Sequence, residues 1–121
     1  MILAAHSAGG SQMRKICLQP NPLYGTRIRE CWGFDCLYGG VQTWYSWATK
    51  NAGAKLFIYY KESTMGNAKQ LAAMSRHLPN VIIQKSAASN HYLVPKFYFK
   101  QCVINLGQAM QQMKLENMST H

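Results

Sequence analysis

Acidic side chains are scarce in this chain: 4 Asp and Glu stand against 13 Lys and Arg among 121 residues, a formal charge of +9. That imbalance leaves nucleic acid, an anionic membrane surface or an acidic substrate to be weighed as partners. Long apolar runs are missing too. The densest, Leu56-Phe57-Ile58-Tyr59-Tyr60, falls far short of the roughly 18 residues a membrane span needs, which excludes a transmembrane helix. The opening Met1-Ile2-Leu3-Ala4-Ala5 has no basic n-region and is too short for an h-region, so it does not read as a signal peptide, and a cytoplasmic setting is the expectation. Cysteine is thin. Cys17, Cys31, Cys36 and Cys102 contain no C-x-x-C pair, which argues against a zinc site and a disulfide scaffold and for buried free thiols in a reducing compartment. No repeat or low-complexity segment occurs, and collagen and coiled-coil patterns are absent. What is present is core material: 48% hydrophobic and 12% aromatic residues, enough for one folded domain over 1–121 and too much for disorder.

Strand-like and helix-like segments alternate along the chain. Met1 to His6, Ile28 to Cys36, Lys55 to Tyr60 and Val81 to Lys85 read as strands. Ser7 to Gln19, Val41 to Asn51, Asn67 to His77 and Lys96 to about Lys114 read as helices, the last with Phe99, Cys102, Val103, Leu106 and Met110 as its apolar positions. Pro20-Asn21-Pro22 with Gly25 marks a loop, and Ala87 to Pro95 another. This alternation predicts an α/β fold with a parallel, mostly four-stranded sheet and flanking helices, the first and last strands forming its edges. The chain opens inside its first strand, so the expectation is an N-terminally incomplete domain whose exposed sheet edge favours self-association.

The sharpest local feature is Ala5-His6-Ser7-Ala8-Gly9-Gly10, where a strand turns directly into a helix with small residues two before and two after Ser7. A serine at such a turn takes strained backbone angles, and small neighbours let strand and helix approach. The turn lifts the hydroxyl clear of the sheet and sets the Ala8 amide at a helix N-terminus, where it can face a developing oxyanion. Read without chemistry, Ser7 is a helix cap. The segment resembles the nucleophile elbow of the α/β-hydrolase superfamily, small-x-Ser-x-small, with Ala5 where glycine is usual.

The resemblance implies the chain order Ser, acid, His, with the His in the loop after the last strand. Asn90-His91-Tyr92-Leu93-Val94-Pro95 fits that loop, whereas His6 holds the elbow's variable position, His77 ends a helix and His121 is in the tail. His91 is then the general base and acid. Among the carboxylates, Glu116 is in the tail and Glu30 within a strand. Asp35, at the carboxyl end of the second strand, is the favoured acid, with Glu62 after the third strand as the alternative. The implied activity is a serine hydrolase that transfers an acyl group to water, from a small-molecule ester or less readily an amide, with no cofactor or metal. The second oxyanion amide of the superfamily comes from a loop upstream of the elbow, so weak or no activity of this chain alone is the expectation.

A different class of function competes with this one, a non-catalytic α/β remnant or binding module using a basic surface. Arg14, Lys15, Arg27 and Arg29 form a loose cluster near the first helix, with Lys96 and Lys100 on the last. Trp32, Trp44, Tyr45 and Trp47 are able to stack on bases or line an apolar pocket. No helix-turn-helix, zinc-finger or RNA-recognition pattern accompanies them, so core packing and a solvated basic face are the plainer account, and nucleic acid is not the expected partner.

Overall fold

The computed structural model describes residues 1–19 and 28–119. The Pro20-Asn21-Pro22 and Gly25 loop, Arg27 and His121 lie outside the described residues. Four strands, β1 (Ile2–His6), β2 (Glu30–Phe34), β3 (Lys55–Tyr60) and β4 (Val81–Lys85), form one parallel sheet in the order β1-β2-β3-β4. β1 and β4 are its edges, and Ala5 pairs with Gly33 as Gly33 pairs with Ile58. β2 is buried along its whole length, and β3 carries an uninterrupted apolar run, as a parallel strand covered on both faces requires.

The helices divide between the two faces. α1 (Gly9–Leu18), α2 (Val41–Lys50) and α3 (Met65–Met74) each connect one strand to its neighbour. Because the strand order advances in one direction, crossovers of one hand place all three on the same face. Their buried residues Met13, Cys17, Trp44, Trp47, Ala48, Ala68 and Leu71 meet Cys31, Leu56 and Ile58 of the sheet. α4 (Val94–Ser119) covers the other face, where Val94, Tyr98 and Cys102 pack on Trp32, Phe34, Phe57 and Tyr59. Fully burying a residue such as Leu56, Ile58 or Leu71 contributes about 1.5–3 kcal/mol.

The helix faces correct two expectations. α4 buries the series Val94, Tyr98, Cys102 with Leu106 packed beside it, while Phe99, Val103 and Met110 are exposed. Tyr98 decides this register: its ring stacks on Tyr59 with centroids 4.2 Å apart, and its hydroxyl accepts a hydrogen bond from the Ala87 amide at 2.8 Å. Trp32, Trp44 and Trp47 are core residues, each under 5% exposed, and so are closed to stacking on bases, although Trp47 lines a hollow of about 350 Å³ between α1 and α2. All four cysteines are free and buried, Cys17 and Cys31 with their sulfurs 3.4 Å apart. Among the described residues no helix is long and apolar enough to cross a membrane.

Candidate active site

Every strand delivers polar groups at its carboxyl end, and these groups converge. Ser7 follows β1, Asp35 follows β2, Lys61 and Thr64 follow β3, and His91 follows β4. This is the edge at which open parallel sheets place ligands.

Ser7 takes the left-handed backbone conformation, with φ 59°, held by a hydrogen bond from its own amide to the Phe34 carbonyl (3.3 Å) and by the Gly10 amide donating to the Ser7 carbonyl (3.2 Å). A non-glycine residue there costs on the order of 1 kcal/mol, and such strain gathers at functional positions. The small neighbours have distinct reasons. A Cβ at Gly9 would make an ordinary 3.6 Å contact with Ala5, whereas a Cβ at Gly10 would collide with the Cys36 carbonyl oxygen. Glycine is therefore demanded one residue later than the elbow pattern suggests. It lets α1 close on the loop that carries Asp35. Among the described residues, neither the Ser7 hydroxyl nor the Ala8 amide has a hydrogen-bond partner.

Asp35 is also left-handed, with φ 48°, and its side chain is 1% exposed. One oxygen accepts from the Lys61 amide (3.0 Å) and the Thr64 hydroxyl (2.5 Å), and the other from His91 Nδ1 (2.6 Å). Burial works to raise this carboxyl's pKa, but the hydrogen bonds from Thr64, His91 and Lys61 outweigh it and hold the group below the usual carboxylate range. Glu62, by contrast, is exposed and lies 3.7 Å from the Lys61 ammonium. The structure brings Asp35, not Glu62, to His91.

His91 Nδ1–H donates to Asp35, which leaves Nε2 as the ring nitrogen turned away from the carboxylate. Asn90 shapes the turn beneath it, its side-chain oxygen accepting from the Tyr92 and Leu93 amides. His6 does more than fill a variable position: its Nε2–H donates to the His91 carbonyl at 2.9 Å and its ring lies 4.4 Å from the His91 ring. No hydrogen bond joins Ser7 to His91. Catalytic hydrogen bonds are often open until substrate binds. His77 is engaged elsewhere, with the Tyr45 hydroxyl at 3.3 Å.

A cleft of about 240 Å³ opens in front of Ser7, lined by Ala8, Ser11, Arg14, Cys36, Tyr38 and Gly39. Burial and the Asp35 charge push the Cys36 thiol up to about 12, so it stays protonated at neutral pH. A larger hollow of about 380 Å³ lies at the far end of α4 among Arg29, Met110, Met113 and Lys114. Its walls hold no nucleophile and no acid.

Sequence reasoning singled out Ser7, Ala8, Asp35 and His91, which the structure places on one sheet edge, but gave no role there to Thr64, the Lys61 amide, His6 or Arg14. Of these only Arg14 left a trace in the sequence, its spacing from Ser7 and Ser11. The basic cluster read around α1 is not one patch: Arg14 lines the cleft, Lys15 faces solvent, and the Arg29 amide bonds the Met1 carbonyl at the opposite end of the sheet. The chain matches no family model, no curated protein and no solved structure.

Proposed function

We propose that the protein is a serine hydrolase of the α/β-hydrolase type, acting on a small ester and less readily on an amide, with Ser7 as nucleophile, His91 as general base and acid, Asp35 as the acid that orients it, and the Ala8 amide as an oxyanion donor. The observation that carries this reading is the 2.6 Å bond from His91 to a buried Asp35 on the same rim as a strained serine whose hydroxyl has no partner among the described residues. A helix cap would not need a histidine–carboxylate pair beside it, and a surface ion pair would not be buried with two further donors on the carboxylate.

The chemistry runs as acyl transfer in two halves. His91 Nε2 takes the Ser7 proton as Oγ attacks the carbonyl carbon, and the oxyanion forms towards the Ala8 N–H. Asp35 keeps Nδ1–H in place and stabilises the imidazolium. The proton passes to the departing alcohol, leaving an acyl-Ser7 ester. Water then attacks with the same proton transfers, releasing the acid and restoring Ser7.

The test is intact mass after exposure to a fluorophosphonate, for the wild-type chain, Ser7→Ala and His91→Ala. A single adduct that is lost in both variants supports the pair. Labelling that persists in Ser7→Ala overturns the nucleophile, and no labelling of the folded wild-type chain overturns the hydrolase reading in favour of a non-catalytic module.

A further inference from the structure

The cleft in front of Ser7 has a charged floor that the acyl-transfer chemistry does not use. Arg14 lies three residues after Ser11 on α1, both lining the cleft that Ser7 faces, and its guanidinium reaches across to the loop after β2. It rests where a side chain at Gly40 would be: Gly40 has φ 73°, and a Cβ there would collide with the guanidinium. The group is half-buried, and among the described residues it has no acidic partner. A guanidinium removed in part from water usually finds a carboxylate. Here the one acid nearby, Asp35, is buried and already takes three donors. The cation also sits against Gly40, the residue that caps the N-terminus of α2, whose dipole repels it and reinforces an anion instead. Arg14 is the sixth residue of α1, about 7–8 Å along the axis from its first, and helical side chains lean back towards the N-terminus. The span suits a carboxylate a few atoms from a carbonyl held at Ser7.

Building on the hydrolase reading, we infer that Arg14 is a specificity residue and that the substrate is an ester carrying a carboxylate, which Arg14 binds while Ser7 attacks the carbonyl. The chain's general positive charge would draw any anion to its surface, but only Arg14 places one in register with the nucleophile.

The test compares each anionic ester with a neutral partner: mono-4-nitrophenyl succinate against 4-nitrophenyl pentanoate for a carboxylate on the acyl side, and acetoxyacetate against its methyl ester for one on the alcohol side. In at least one pair, the ratio of kcat/KM for the anionic over the neutral ester falls about tenfold to a hundredfold in Arg14→Met, the scale of a charge-assisted hydrogen bond. Arg14→Lys restores part of it, and Lys114→Ala, at the far end of α4, leaves it in place. A ratio within twofold of wild type in both pairs overturns the inference, since damage to the fold alone would lower both esters together. Titration of Ser7→Ala with monomethyl succinate, monitored by chemical shifts, separates the two claims. Saturable binding that Arg14→Met removes upholds the anion site even if no ester is hydrolysed, in which case the hydrolase reading fails. Hydrolysis with neither selectivity nor such binding leaves the hydrolase standing and removes the anion site.

Discussion

Thr64→Val removes one hydroxyl from the environment of Asp35 and almost nothing else. Thr64 is 1% exposed, valine keeps its shape, and the lost group donates to the carboxylate at 2.5 Å. A hydrogen bond to a charged group contributes about 1.5–3 kcal/mol. Two donors remain on Asp35, so a loss of about 2 kcal/mol at pH 7 is expected, and for a domain of this size that lowers Tm by about 8 °C. The effect has a definite sign in pH. Asp35 is held below the ordinary carboxylate value, so its interactions stabilise the fold fully above the unfolded value near 4 and lose that effect as pH falls through the lower folded value. Thr64→Val raises the folded value towards the unfolded one. The gap between wild type and variant is therefore widest at neutral pH and narrows in acid. Thermal melts by circular dichroism at stepped pH measure this, with Asp35→Asn and the double variant completing a cycle. A coupling above about 1 kcal/mol at pH 7 is expected for groups in direct contact. Additive losses, or a gap that does not change between pH 7 and acid, would refute the claim that Thr64 acts through the Asp35 charge.

Two further pairs of substitutions test the turn that carries Ser7. Ser7→Gly should melt higher than Ser7→Ala by a few degrees, because both lose the hydroxyl but only alanine keeps the strain of φ 59°; the opposite order would show that the left-handed conformation carries no cost. Gly10→Ala should cost about 1–3 kcal/mol in denaturant unfolding, since its Cβ meets a backbone carbonyl that has no room to move, while Gly9→Ala stays within about 0.5 kcal/mol; equal effects at the two positions would overturn the steric account.

Strand and helix alternation was legible because the sheet is parallel and buried on both faces, so Leu56 to Tyr60 appears as one uninterrupted apolar run and the turns around it as polar gaps. Boundaries were less so. α3 begins at Met65, two residues before the expected Asn67, because a short 3-10 turn over Glu62–Thr64 feeds directly into it. That turn also hid Thr64. Its hydroxyl reaches Asp35 only because β2 and β3 are neighbours in register, a relation between residues 29 positions apart that no local pattern records. Glu62 attracted notice by its charge, yet its exposed position beside Lys61 leaves it outside the site.

His6 and Arg14 show a different reason for incomplete legibility. Periodicity in α1 was read for burial, and the buried series Gly10, Met13 and Cys17 does follow the helical step. The neighbouring stripe of Ser11 and Arg14 has the same step, but polar residues at that spacing mark a solvated face in most helices. What converts this stripe into a cleft wall is the loop after β2, which folds over it through Tyr38 and Gly39 and is allowed to by Gly40. His6 gains its role in the same way, from the turn after β4 that brings the His91 carbonyl within 2.9 Å of its ring nitrogen. Both residues lie next to the elbow in sequence, but their partners come from other strands. Ser7 was visible because its conformational demand is local, whereas the groups that surround His91 and charge the cleft depend on how adjacent strand ends are aligned.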